Sequence, residues 1–358
     1  MEYYGSTDLA INWRRRLVKI ALGSRPYDGA WGGGNRFVAA LSEALTKAGH
    51  AVVYDLADED IDIALMTDPR SRSPNVTFSA GKILRYLALR NPRTIIVHRI
   101  NECDERKGEA FINHKLVRAN YVADVTAFVG EWLVHLPVWQ DNLQTPWHVL
   151  RNGADVRLFN ANGFSSWSGQ GPLRLVTHHW GYHPMKGFDV YAALDDMMGQ
   201  PAWHDRVAFT FVGNLPKGFA FKNARYVRPL DGAKLAAELR SHHGYLTASI
   251  NEPGGNHQNE GAMCGLPLLY RESGCMPEYC AGYGVSFAGV GDLSAALDRY
   301  IAEYPALVAK MTSYPHTAAR MTRDWIALFE RLYTERDELV QRRKLWRAPL
   351  RVMLTQVP

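Results

Sequence analysis

Glu252 and Glu260 stand with seven residues between them in the segment "NEPGGNHQNEG" (251–261). An ionised carboxylate only accepts hydrogen bonds, and its two oxygens can take two neighbouring hydroxyls of a sugar ring. Between the acids, Gly254 and Gly255 let the backbone turn sharply and approach a ligand closely. Asn256 has the residue type of a helix N-cap. A helix start offers unpaired N–H groups and the positive end of the peptide dipoles, which suits a phosphate. One acid on each side of such a turn fits a nucleotide sugar, with a sugar at each end of a diphosphate. On a solvated loop the same two acids would have no ligand, and the local pattern leaves both readings open.

The flanking elements decide where this segment sits. "GYLTASI" (244–250) has the apolar, β-branched character of a strand, so Glu252 and Pro253 fall just past its carboxyl end. Pro253 has no backbone donor and cannot prolong a central strand. "QNEGAMCG" predicts a short helix carrying Glu260, and "LPLLY" the next strand. The same alternation runs through the chain. "LVKIALGS" (17–24), "AVVYDL", "DIALMTD", "TIIVHRI" (94–100), "ADVTAFVG" and "WHVL" read as strands, with a helical pattern over 35–50. "NANGFSSWSGQGP" (160–172) is a boundary loop. Strands then recur at 173–179, 207–213 and 244–250, separated by helical patterns. Strands alternating with helices imply βαβ units and parallel sheets. Two such halves in tandem place a ligand in the cleft between them, beyond the strand carboxyl ends. Residues 318–346 form one long helical pattern with apolar positions at Trp325, Ile326, Phe329, Leu332, Tyr333 and Leu339, expected to pack across both halves.

Composition narrows the classes. The chain has 358 residues, 47% hydrophobic and 22% charged, with a formal net charge of +5. That is ordinary globular composition, of a length for about two domains, and too weakly basic for a dedicated nucleic-acid binder. Four cysteines are scattered without metal-ligand or disulfide spacing, which fits free thiols in a reducing compartment. With no leader-like opening and no apolar run of about 20 residues, the expectation is a soluble, cytoplasmic protein.

Glu-x7-Glu followed by a small-residue helix and "GLPLLY" resembles the donor-site signature of glycosyltransferase family 4, retaining enzymes of the GT-B fold. "MKGFD" (185–189), "FTFVGN" (209–214), "SGCMPE" (273–278), "VLRNGADVRLF" (149–159) and "YDGAWGGGNRFVAALSEALTKAGHAVVYD" (27–55) resemble further elements of that family in order and spacing. The resemblance covers residues 17–310. It implies an α/β chain of two Rossmann-like domains whose parallel sheets face a central cleft: 1–160 for the acceptor, 161–317 for the donor, and 318–358 as a helix and basic tail returning towards the N-terminal domain. It also implies a hexosyltransferase that takes a UDP- or GDP-linked sugar to a glycan, glycolipid or small hydroxyl acceptor, in polysaccharide or glycoconjugate biosynthesis. No metal or other cofactor is expected. A sugar-nucleotide epimerase or phosphorylase on the same fold, and an inactive carbohydrate-binding or scaffold subunit, are the alternatives. Isomerisation or phosphorolysis of the donor without an acceptor would mark the first; failure to bind any nucleoside diphosphate would mark the second.

The roles implied by the resemblance are specific. Glu260 would bind the ribose and Glu252 the hydroxyls of the transferred sugar. Backbone N–H groups of Gly254, Gly255, Asn256 and His257 would lie near the phosphates. Lys186 would neutralise the departing diphosphate. Gly213, Gly33 and Gly34 would line the donor site, and the base would lie against the loop at 227–230, at Leu230. His98, at the end of a strand, is the candidate facing sugar and acceptor, while Asp104, Glu105 and Arg106 read equally as loop charges. The chain departs from the family at Trp180, where an arginine often meets the phosphates. His178, His179, Arg25 or Arg36 are the available replacements. Finally, basic clusters flank tryptophans at both ends: Arg14, Arg15 and Arg16 beside Trp13, and Arg342, Arg343, Lys344, Arg347 and Arg351 around Trp346. Such clusters suit an anionic membrane surface at the inner face of the membrane, or simply a solvated helix end. No nucleic-acid recognition motif accompanies the charge.

Overall fold

A computed structural model of the chain describes residues 17–27, 33–68, 75–343, 345–348 and 350–351. Trp13, Arg14, Arg15, Arg16, Gly32, Lys344 and the side chain of Arg347 lie outside the described residues. Two six-stranded parallel sheets organise the molecule. The first contains β1 (Lys19–Leu22), β2 (Ala51–Val53), β3 (Ile63–Met66), β4 (Ile95–Ile100), β5 (Val125–Phe128) and β6 (Trp147–Val149), in the order β2-β1-β3-β4-β5-β6. The second contains β7 (Leu173–His179), β8 (Val207–Gly213), β9 (Arg225–Val227), β10 (Gly244–Thr247), β11 (Leu268–Arg271) and β12 (Gly284–Phe287), in the order β12-β11-β10-β7-β8-β9. The second order is that of a dinucleotide-binding doubly wound sheet, with its switch point between β7 and β10.

The strand sequences follow from burial. All six residues of β4, "IIVHRI", are buried because helices cover both faces of the sheet. Ile95 and Val97 pack with Phe37, Val38, Leu41 and Leu45 of the helix Gly33–Lys47. Ile96 packs on the opposite face with Ile83, Leu84 and Leu87 of the helix Ala80–Leu89. The edge strand β9, "RYV", is largely exposed and lacks this apolar signal, which is why sequence periodicity passes over it. β10 ends at Thr247, three residues before the end of the apolar run, because Ile250 turns to hydrogen-bond the carbonyl of Met185 at 2.8 Å.

The tail departs from expectation in two ways. It is not one helix: Ala318–Thr334 ends at Glu335, and a second helix spans Arg336–Arg342. Nor does it pack across both halves. Met321, Trp325, Leu328, Phe329, Leu332 and Leu339 all join the core of the first sheet, and Trp325 meets Phe37 edge-on at 5.5 Å between ring centroids. The Thr317 hydroxyl caps this helix by accepting from the Arg320 N–H. The chain passes between the two bodies twice, side by side. Ala154 pairs with Thr317, Ala154 N–H donates to His316 O at 3.0 Å, and Ala318 N–H donates to Ala154 O at 2.7 Å. The first crossing therefore precedes the boundary expected at 160: Ala154 and Phe159 already pack in the second body with Leu235, Tyr245 and Tyr314.

The four cysteines are free and buried. Among the described residues, no helix is long and apolar enough to cross a membrane.

Candidate functional site

A cavity of about 240 Å³ opens between the carboxyl ends of the two sheets. It gathers Glu252, Glu260, Lys186, Gly254, Gly255, Asn256, His257, Gly213, Leu230, Trp180, Gly33 and Gly34. These come from five separate stretches of sequence, so a shared wall is a property of the fold rather than of chain proximity.

Backbone approach brings Lys186 to Glu252. Lys186 ends a short 3₁₀ turn, and Gly187 follows it at φ 89°, where a Cβ would lie 2.3 Å from the carbonyl oxygen of Ala248. Only glycine accepts both the left-handed backbone and that contact. The two loops are thereby clipped together, and Lys186 Nζ donates to Glu252 Oε2 at 2.5 Å with both residues buried. Arg106 Nε stands 3.9 Å from Glu252 Oε1, and its Nη1 donates to Glu102 at 2.8 Å. Burial opposes ionisation of Glu252, but Lys186 and Arg106 outweigh it and hold the carboxyl well below its usual range. Glu260 balances in the same way. Burial raises it, while His178 and Arg36 lower it further, so it too is held ionised. His178 Nε2 meets Glu260 Oε2 at 2.9 Å, and Tyr245 OH meets the other ring nitrogen of His178 at 3.0 Å. Arg36, from the first body, pairs with Glu260 and also donates to Asp231 at 2.8 Å.

The glycine turn is held from the other side. A Cβ on Gly254 would lie 2.5 Å from Val129 of the first body, so the turn packs directly against the end of β5. Asn152, at the crossing, donates to Gly254 O at 2.6 Å and accepts from Arg99 Nη2 at 2.9 Å. Glu278 of "SGCMPE" serves as a clip between the bodies, accepting from the N–H groups of Glu131 and Trp132 at 2.8 and 2.7 Å. The helix after the turn is His257–Met263. Asn256 precedes it but forms no side-chain cap; its Oδ1 is buried without a partner, and its amide lies against Gly33. His257 donates to or accepts from Thr247 Oγ1 at 2.8 Å, and burial drives it down to about 3, so it is neutral at physiological pH.

His98 is a correction. It does not line the cavity: it is fully buried, with Nδ1 at 2.9 Å from Asn120 Oδ1, and burial lowers it to about 4. Side chains alternate along a strand, and on β4 the face that meets the cleft carries Arg99, followed by Asn101 just past the strand. Among the replacements for the arginine missing at Trp180, Arg36 reaches the cavity, whereas Arg25 lies over the Tyr54 ring instead. His179 is buried against Tyr191 OH at 2.7 Å. The residues of "DER" separate by role. Asp104 accepts from the N–H groups of Phe111, Ile112 and Asn113 at the start of the helix Ile112–Asn120. Glu105 holds Asn113. Arg106 enters the cavity. Arg99, Asn101 and Asn152 are not among the residues the sequence singles out; the alternation of side chains along β4 puts the first two on one face, but only the sheet shows that this face meets the cleft. Among the described residues no cluster of His, Cys, Asp and Glu side chains has the geometry to hold a metal ion.

No family model matches the chain, and no curated protein matches it. Its fold does match solved structures. Sucrose-phosphate synthase of Thermosynechococcus elongatus superposes with a TM-score of 0.61 at 15% identity, over 88% of this chain and 99% of that one. HepE of Anabaena, in complex with UDP-glucose, gives 0.59 at 11% identity, over 88% of this chain and 100% of that one. A glycosyltransferase from Rickettsia africae gives 0.59 at 11% identity, over 89% of this chain and 99% of that one. The fold is therefore GT-B: two Rossmann-like bodies with parallel sheets facing a cleft.

Proposed function

We propose that this chain is a retaining glycosyltransferase that moves a sugar from a nucleotide-diphosphate donor to a hydroxyl of a glycan, glycolipid or small acceptor. One observation carries the proposal: a single cavity between the bodies collects Glu252, Glu260, Lys186 and the 254–257 turn. The fold is shared with a protein named as a glycosyltransferase and with HepE in complex with UDP-glucose, which favours a UDP-linked donor here.

On this proposal Glu260 accepts from the ribose hydroxyls and Glu252 from those of the transferred sugar. Both acids are held ionised, so both remain acceptors across the physiological range. Lys186 spends one of its three donors on Glu252, leaving two for phosphate oxygens. The base rests near Leu230. The bond between the anomeric carbon and the diphosphate oxygen breaks with its electron pair moving to the diphosphate, where Lys186 and the N–H groups of the turn stabilise the charge. The acceptor oxygen bonds to the same face of that carbon, and its proton goes to the leaving diphosphate. No protein nucleophile enters the balance.

The test is a panel of UDP- and GDP-sugars, each incubated with the protein and hydroxyl acceptors and read by mass spectrometry, alongside calorimetry with the free nucleoside diphosphates. Transfer, or slow donor hydrolysis, with tight binding of one diphosphate is expected. No binding of any nucleoside diphosphate and no product would overturn the proposal.

A further inference from the structure

Four cationic side chains line the cavity, Arg36, Arg99, Arg106 and Lys186, against three carboxylates, Asp231, Glu252 and Glu260. Three of the cations have acidic partners: Arg36 has Glu260 and Asp231, Arg106 has Glu102 and Glu252, and Lys186 has Glu252. Arg99 has none. No carboxylate among the described residues acts on it, although it is only 3% exposed. Its Nη2 donates to Asn152, its guanidinium lies 3.9 Å from the centroid of the Phe37 ring, and its Nε is buried without a partner. Burial without compensation lowers its affinity for the proton to about 10, still charged at neutral pH. A buried charge is costly unless paired. The guanidinium borders the cavity beside Asn101, one hydrogen-bonded link, through Asn152, from the Gly254 turn.

We propose that Arg99, with Asn101 and Asn152 beside it, is the seat of a phosphoryl oxyanion of a bound substrate. A guanidinium offers planar, paired donors that match phosphate oxygens, and gains most where water is excluded. The proposal rests on the glycosyl-transfer reading of the same cavity and assigns the positive charge that Trp180 cannot supply. The phosphoryl group has two possible sources, the donor's diphosphate or a phosphate on the acceptor, and both place the same chemistry at Arg99.

The experiment is calorimetric titration of wild-type protein, Arg99→Met and Arg99→Lys with inorganic phosphate, with UDP, and with glucose 6-phosphate in saturating UDP. Arg99→Met keeps the length of the side chain and removes its charge. It is expected to weaken at least one of these ligands by about tenfold or more, and Arg99→Lys to restore part of the loss. Loss on UDP places the donor's diphosphate at Arg99. Loss on glucose 6-phosphate with UDP binding intact places an acceptor phosphate there. Thermal melting without ligand separates this from a structural role. A guanidinium waiting for a ligand leaves the melting temperature of Arg99→Met unchanged or raised. If the wild type binds UDP and Arg99→Met binds all three ligands equally well, the proposal fails while the glycosyl-transfer reading stands. A lysine variant as weak as the methionine variant would also overturn it. If the wild type binds none of the three, this proposal fails, and the glycosyl-transfer reading fails with it only if GDP is not bound either.

Discussion

On the C-terminal side of the cavity the chemistry arrives clustered. Glu252, the glycine turn, His257 and Glu260 occupy one stretch of eleven residues, and Lys186 is clipped to it through Gly187. On the N-terminal side it arrives dispersed: Arg36 from a helix, Arg99 from the middle of the sheet, Arg106 from a loop. One side contributes all three cavity carboxylates and the other three of the four cations, so the charges are complementary across the cleft. A cluster built by one loop can be recognised from spacing. A wall assembled from three distant elements exists only after the sheet has formed.

The sharpest way to break this contrast is at the clustered side. On the proposed reaction, Lys186→Met is expected to lower turnover by about 100-fold or more, the size seen when one group that stabilises developing charge is removed. Glu252→Gln should do similar damage and also destabilise by about 3–5 kcal/mol, because breaking a buried pair strands its partner. The double variant Lys186→Met, Glu252→Met separates the two effects. Removing both charges restores most of the melting temperature but not transfer, measured as product per enzyme with the donor identified by the mass-spectrometric screen. Recovery of transfer together with stability would make the pair structural only.

The two bodies also differ in what closes their cores. The second is closed by its own helices, whereas the first borrows Trp325, Phe329 and Leu332 from the tail. Trp325→Ala is expected to cost about 3–5 kcal/mol, as for other large-to-small changes in a core. Hydrogen exchange should show the loss on β1, β3 and β4, with β7, β8 and β10 nearly unchanged. Equal loss on both sheets would show that the bodies unfold as one unit.

That dependence on the tail bears on what was legible from sequence. The strands at 94–100 and 173–179 declared themselves through Ile95, Ile96 and Val97 and through Leu173, Leu175 and Val176, and burial is uniform along β4 because both faces of a parallel sheet are covered. The same uniformity hid which side chains face the cleft. In "IIVHRI" the histidine drew attention as the residue of catalytic type, yet its side of the strand faces Asn120, and the neighbouring arginine is the one at the cavity. The tail's periodicity marked it as helical, but nothing in the pattern could show that Thr334 ends the helix or that its apolar face joins the core of the first sheet. Burial can be read from composition; which partner supplies it depends on tertiary geometry.

Acid should separate the bodies further. Burial lowers His183 and His243 to about 4, His257 to about 3 and His179 well below its ordinary value, all in the C-terminal body, against His98 at about 4 and a lowered His148 in the N-terminal one. In the unfolded chain these groups take up protons near pH 6.5, whereas in the folded protein they stay neutral until far lower pH. The unfolded state therefore binds more protons in that window, and stability falls as pH drops from about 6.5 towards 4. Exchange protection on β7 and β10 should decline across that range before protection on β3 and β4. A decline beginning only below pH 4 would assign the acid sensitivity to carboxylates instead, and a simultaneous one would show that the bodies unfold as one unit.

The smallest effect is expected at a half-exposed cation that joins the two sides. Arg36 crosses from the N-terminal helix to Glu260 and Asp231, but its side chain is 34% exposed, so solvent screens the pair. A half-exposed pair such as that with Asp231 contributes about 0–1 kcal/mol, and Glu260, though its side chain is only 6% exposed, keeps His178 as a partner, so Arg36→Met should lower the melting temperature only slightly. Its consequence lies in the cleft. Without the guanidinium, Glu260 keeps only His178, and the two bodies lose a charged tether across the cavity mouth. Small-angle scattering of Arg36→Met without ligand should then report a slightly larger radius of gyration than wild type at low salt. The difference should vanish at high salt, where screening weakens the wild-type pair as well. Identical scattering at both ionic strengths would mean that the other contacts across the cleft, those of Arg106, Asn152, Glu278 and Gly254, hold it at its width.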